Sequence, residues 1–202
     1  MAKPSIVTLV LIGVCVVLYI PELLGIKIGG ADINYWLCVA PDSFSRPWEF
    51  VTAIFVHGSP MHLLMNMISL YWLGSFIEQS HGKWLFLLVF FASGIVGNVV
   101  VALAGSAAVG ASGAIFGMLG AGALLLFTLR KDPQARQTLT GFAVMLAINI
   151  FNSFLPGISL EAHLGGLAGG IVIEALIIFV FGQRKKKLAS RSTTTYTTTI
   201  DR

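Results

Sequence analysis

Residues Trp84 to Leu129 form a run of 46 positions without a single Asp, Glu, Lys, Arg or His. A helix needs about 20 apolar residues to cross a bilayer core. A run of this length therefore makes two spans joined by a tight return, near Gly105–Gly110. The rest of the chain follows the same rule, with 56% hydrophobic and 11% charged residues and a mean hydropathy of +0.86. Soluble domains carry about 25% charged residues. The expected fold is an all-α polytopic membrane protein with six transmembrane helices in one compact bundle. The spans fall at about 6–24, 61–77, 84–104, 112–129, 139–154 and 162–181. One membrane domain, 1–182, is followed by a basic, then Thr-rich tail, 183–202, with the composition of a disordered segment.

The first span has a basic start and an apolar core, as a signal peptide does. It lacks an A-x-A site and continues into Pro21-Glu22, so it reads as uncleaved. Placing both termini in the cytoplasm puts eleven Lys and Arg inside and only Lys27 and Arg46 outside. The net charge of +4 is thus a topology signal rather than a nucleic-acid footprint. The QRKKK run after the last span suits anionic headgroups. Cys15 and Cys38 form neither a disulfide framework nor a metal motif. The first outer loop, about Gly25 to Pro60, carries Trp36, Phe44, Trp48, Phe50 and Phe55. Such a loop lies in the membrane interface or packs on its own helices, and the two are compatible.

Several polar residues stand where lipid should exclude them. Ser112 opens the fourth span inside VGASGAIFG. Irregular backbone at membrane depth survives only where protein or a water-filled cavity surrounds it. Ser112 is therefore expected within the protein body, with Gly110 and Gly113 shaping the turn. The small residues Gly113, Gly117 and Ala121 recur at helical spacing on span four, and Gly166 and Gly170 do so on span six. Such faces let helices approach to backbone contact. That packing would bring His163 of span six within hydrogen-bond reach of Ser112, the arrangement of a base-activated nucleophile. On span two, His62 and Asn66 stand at i and i+4 on one face, two N–H donors suited to an oxyanion. Singly, each has a plainer reading: a membrane Ser usually bonds back to its own helix, and His or Asn can join helices. Glu161, at i−2 from His163, points away from it, so the pair reads as a dyad. His57 and His62 lack the H-E-x-x-H spacing of zinc proteases. Asn98, Asn149, Asn152 and Glu174 read as structural, without a nameable partner, Glu174 lying about 16 Å along the helix from His163.

These residues resemble the rhomboid family of intramembrane serine proteases over most of the chain, from Trp48 through span six. GASG at Gly110–Gly113 matches G-x-S-G, HLLMN at His62–Asn66 matches H-x-x-x-N, and AHLGGLAGG at Ala162–Gly170 matches A-H-x-x-G-x-x-x-G. The resemblance implies Ser112 as nucleophile and His163 as general base. It implies His62, Asn66 and the Ser112 backbone N–H as the oxyanion hole. Gly74 and Glu78 fit a structural G-x-x-x-E element, and Phe116 stands where the family often has an aromatic ring near the histidine. One departure is visible: Trp48-Glu49 replaces the family's frequent Trp-Arg, with Arg46 two positions earlier.

The implied substrates are membrane helices of other proteins, cut near their outer ends where they unwind easily, with small residues beside the cut. Substrates would enter laterally, past span five or the first loop. No metal, organic cofactor or nucleic acid is expected. The short loops and lack of an extra domain suggest a bacterial inner membrane, with the site on the extracytoplasmic side. The alternatives are a rhomboid-like pseudoprotease, which would hold helices without cutting them, and a small channel or transporter, which would need midplane ion sites.

Overall fold

The structure is a computed structural model, and it describes residues 5–181. Among these residues the regular structure is helical, with only two isolated bridges between extended residues. α1 is Ile6–Leu23. Its end is closed by Gly25 at φ 64°, with Gly25 N–H donating to Glu22 O and Ile26 N–H to Pro21 O. The first loop holds two short helices, α2 (Ile33–Leu37) and α3 (Glu49–Thr52). α4 (Pro60–Ser69) starts at a Ser59 cap, whose hydroxyl accepts from His62 N–H, with Pro60 in the first turn. A π-helical stretch, Leu70–Gly74, joins it to α5 (Ser75–His81). Gly82, at φ 78°, turns the chain into α6 (Lys83–Leu103). α7 (Ser112–Thr128) and α8 (Pro133–Asn152) follow. α9 begins at Leu160 and is described to Phe181.

α1, α6 and the Leu160–Phe181 part of α9 are long and apolar enough to cross a membrane, and α7 is a shorter apolar helix. The uncharged run divides as expected, with α6 ending at Leu103 and α7 starting at Ser112. α8 begins at Pro133, six residues earlier than the expected span. The cause is an N-terminal cap: Asp132 accepts from both Gln134 and Ala135 N–H, which starts the helix before hydrophobicity does. The expected disordered tail and its QRKKK run lie outside the described residues.

α7 is the central helix. Its residues from Gly113 to Gly122 are buried without a break, against α6, α8 and α9. Enclosure on so many sides explains its composition, since large side chains would hold its neighbours apart. A Cβ on Gly166 would strike the Gly113 carbonyl oxygen, and one on Gly170 the Gly117 carbonyl oxygen. The two small-residue faces therefore meet glycine to glycine, in register, as their spacing predicts. α6 joins the seam at Gly97, where a Cβ would stand 2.7 Å from Ala162 O.

Polar contacts fasten the ends. Glu78 accepts from Val7 N–H (3.1 Å), Thr8 N–H (2.8 Å) and the Thr8 hydroxyl (2.7 Å), clamping α1 onto α5. A Cβ on Gly74 would stand 3.0 Å from Thr8 Cγ2, so the glycine of G-x-x-x-E clears the crossing that its glutamate clamps. The first loop is docked on the helices: Val39 and Ala108 exchange backbone hydrogen bonds at 3.0 Å, Gly110 N–H donates to Ala53 O, and Asn98 Nδ2 donates to Phe50 O. Phe50 is buried beneath it, whereas Trp36, Phe44 and Trp48 remain about half exposed. Glu49 is buried at the loop's centre, accepting from the Ser43 hydroxyl and Arg46 Nε at 2.5 Å each, and Arg46 also pairs with Asp42. The departure at Trp48-Glu49 is thus built into a local ion-pair cluster, with Arg46 supplying the guanidinium from three positions before Glu49.

Candidate functional site

A cavity of about 930 Å³ opens between α4, α7 and the start of α9, reaching the end of α8. Ser112, His163, His62, Asn66, Gly110 and Phe116 all line it. The glycine seam explains how the first two come to line the same cavity. Gly166 lies against Gly113, His163 is three residues before Gly166, and Ser112 is one before Gly113. At 1.5 Å per residue, the two side chains leave their helices within about 3 Å of the same level.

Ser112 is the first residue of α7, and its backbone N–H belongs to the unpaired first turn. The preceding return is shaped by Gly110, whose φ of 119° suits glycine. Space matters as much as conformation there. A Cβ on Gly110 would stand 2.7 Å from His62 Cε1 and Nε2 and 3.9 Å from Asn66 Nδ2. The imidazole edge of His62 and the amide of Asn66 thus converge on the backbone two residues before Ser112. Asn66 Nδ2 also donates to His62 O at 2.9 Å, which uses one of its two protons and leaves the other.

His163 is nearly buried, and its ring stacks on Phe116 with centroids 4.1 Å apart and planes 13° from parallel. The aromatic expected beside the histidine is therefore in direct contact with it. No hydrogen bond joins Ser112 to His163 among the described residues. His163 Nδ1 instead lies 2.6 Å from the hydroxyl of Ser153, just past the end of α8. Catalytic hydrogen bonds are often long in unliganded sites and tighten when substrate binds. Ser153 was invisible in the sequence because no spacing rule links the end of one helix to a ring on the next.

Glu161 also lines the cavity, but its carboxylate accepts from the Ser159 hydroxyl at 3.1 Å, within its own turn. Two of the polar residues read as structural do have partners across the fold. Asn98 holds the first loop, as above, and Glu174 meets His81 Nε2 at 2.8 Å. Asn149 bonds back to Met145 O, and Asn152 lines the cavity. His57 is fully buried in the first loop beside the site, its ring 5.0 Å from that of His62 and neither nitrogen bonded to protein. Burial, with the His62 ring as a lesser cause, lowers its pKa to about 4. Cys15 is buried and free in the core, and Cys38 is free and half-buried. No group of three or more His, Cys, Asp and Glu side chains among the described residues is arranged to hold a metal.

The rhomboid domain model matches residues 45–179, a stretch that contains every side chain of this cavity. The chain belongs to the rhomboid family. YdcA of Bacillus subtilis is 35% identical over 135 residues, 65% of this chain and 67% of that protein. The rhomboid protease GlpG of Haemophilus influenzae is 28% identical over 180 residues, 85% of this chain and 91% of that one. RHOMBOID-like protein 4 of Arabidopsis thaliana is 32% identical over 136 residues, 65% of this chain but only 34% of that protein. Membership and the apolar helices make this an integral membrane protein with an intramembrane-protease or rhomboid-like function.

Proposed function

We propose that the protein is an intramembrane serine endopeptidase, with Ser112 as nucleophile and His163 as general base and acid. The observation that carries the reading is the convergence at one cavity of four elements: a helix-opening serine, an imidazole near its level, and two side chains with N–H donors beside the backbone at Gly110. In this reading Ser112 Oγ attacks the scissile carbonyl carbon while His163 takes its proton. The carbonyl oxygen becomes an oxyanion facing His62, Asn66 and the Ser112 N–H, at the positive end of α7. His163 then protonates the leaving amine, and a water admitted through the cavity hydrolyses the acyl-enzyme. No metal or organic cofactor takes part.

The substrates are transmembrane segments of other proteins, cut near their outer ends. A helix keeps its carbonyls in hydrogen bonds, so segments weakened by Gly or Pro unwind into the site most readily. The glycines around Ser112 leave room for small side chains beside the cut. Six spans as read from the sequence form one domain, with both termini in the cytoplasm. The cavity then faces the extracytoplasmic side of a bacterial inner membrane, as the lysine and arginine asymmetry supports.

The test is labelling of the purified protein with a fluorophosphonate, whose phosphorus an activated serine attacks with loss of fluoride. Labelling of wild type, absent in both Ser112→Ala and His163→Ala, is the expected result. Labelling that persists in Ser112→Ala would refute the assignment. Folded wild type that labels neither in detergent nor in lipid would instead be a rhomboid-like protein without proteolytic activity.

A further inference from the structure

We infer that Ser153 is the residue that orients the catalytic histidine, acting as the fixed hydrogen-bond acceptor for His163 Nδ1–H. The inference rests on the dyad reading above and extends it to a third side chain on a different helix.

The neighbouring carbonyl favours this direction. Ser153 Oγ stands 2.7 Å from Asn149 O and 2.6 Å from His163 Nδ1. Nδ1 could accept or donate, but a carbonyl oxygen can only accept, and turning the single hydroxyl proton toward Nδ1 would leave two oxygens facing each other with lone pairs at 2.7 Å, so the proton goes to Asn149. The lone pairs of Oγ then face Nδ1, which must carry the ring proton. Neutral His163 is thereby held as the Nδ1–H tautomer, leaving the lone pair on Nε2, the nitrogen with access to the cavity. That is the form a general base needs, and which nitrogen is protonated is set by the bond the other makes. Ser153 is 3% exposed, so bulk water does not compete for the contact. The stacked Phe116 ring fixes the plane of the imidazole, and Ser153 fixes its rotation within that plane. Glu161, the carboxylate nearest in sequence, is engaged with Ser159 and does not take this place.

Ser153 touches neither substrate nor reacting atoms in this account and is a positioning residue. Its test compares wild type, Ser153→Ala and Ser153→Thr, each as the full chain, with two readouts. One is the rate of fluorophosphonate labelling at saturating probe. The other is the nitrogen-15 resonances of the His163 ring, assigned by their loss in His163→Ala, which report the tautomer. In Ser153→Ala we expect the rate to fall about tenfold or more and the Nδ1–H signature to give way to a tautomer mixture. Ser153→Thr, which keeps a hydroxyl on Cβ, should restore both. Ser153→Ala labelling within twofold of wild type would overturn the inference. So would a slowed Ser153→Ala whose His163 tautomer is unchanged, because the loss would then come from packing alone. Failure of wild type to label, or labelling of Ser112→Ala, would sink the dyad reading itself, which keeps the two failures apart.

Discussion

Gly166→Ala is the sharpest test of how the seam positions the site. The added Cβ would stand 2.7 Å from the Gly113 carbonyl carbon and closer still to its oxygen, both backbone atoms that no rotamer can move. Ordinary contact begins at 3.4 Å, so relieving the carbon contact alone requires about 0.7 Å of separation, and the oxygen requires more. α9 must therefore retreat from α7 by at least about 1 Å, carrying His163, three residues away, with it. Overpacking of this kind costs about 1–3 kcal/mol of stability. A 1 Å misplacement of a reacting group can cost about 100-fold in rate. The assay is the fluorophosphonate labelling rate, beside the thermal midpoint in the same detergent. Gly141→Ala in α8 is the control, because a Cβ there meets nothing within 4 Å. It should leave the rate unchanged and, by helix propensity, stabilise by about 0.5–1 kcal/mol. Gly166→Ala labelling within twofold of wild type at an unchanged midpoint would refute the argument that backbone contact sets the spacing of the proposed dyad.

Two further outcomes follow from other parts of the fold. His57 stays neutral in the folded protein down to about 4, whereas it protonates near 6.5 when unfolded, so stability should decline as pH falls from about 6.5 toward 4. The loss attributable to this residue is at most about 3 kcal/mol, and a His57→Asn variant that unfolds with the same pH slope as wild type would disprove it. Glu78→Gln keeps one acceptor for α1 but loses the charge, and should lower stability by about 1–3 kcal/mol while the labelling rate stays near wild type.

The glycine seam was legible because it arises from helical spacing along single segments, and with it the place of Ser112 and His163 at one cavity, though the hydrogen bond expected between them is not formed. Glycines four apart define a face, two such faces predict a contact, and the polar residue at the head of each helix inherits its place. His62 and Asn66 were legible for the same reason. What escaped was cross-chain chemistry with no periodic signature. His81 and Glu174 are separated by 93 positions, and nothing local in either segment marks the pairing. Ser153 follows a helix whose apolar pattern ends without regard to the ring it serves. The early start of α8 was hidden because a cap, not hydrophobicity, begins it. Glu49 looked like a lost motif position because its burial against the half-exposed Arg46 comes from the fold of the loop and not from any hydrophobic pattern.

α8 is the most lightly anchored of the long helices around α7. Phe142 is its buried residue, its ring seated over Gly122 and 5.1 Å from that of Phe76, while much of the helix surface is open. Ser153 rides on the end of this helix, so whatever displaces α8 carries off the acceptor that sets the histidine's proton. If substrates pass beside α8, admission and chemistry cannot coincide. On the proposed mechanism the order of events then becomes part of the architecture: the helix parts, the guest settles, the helix returns, and only then does His163 hold the form that a base needs.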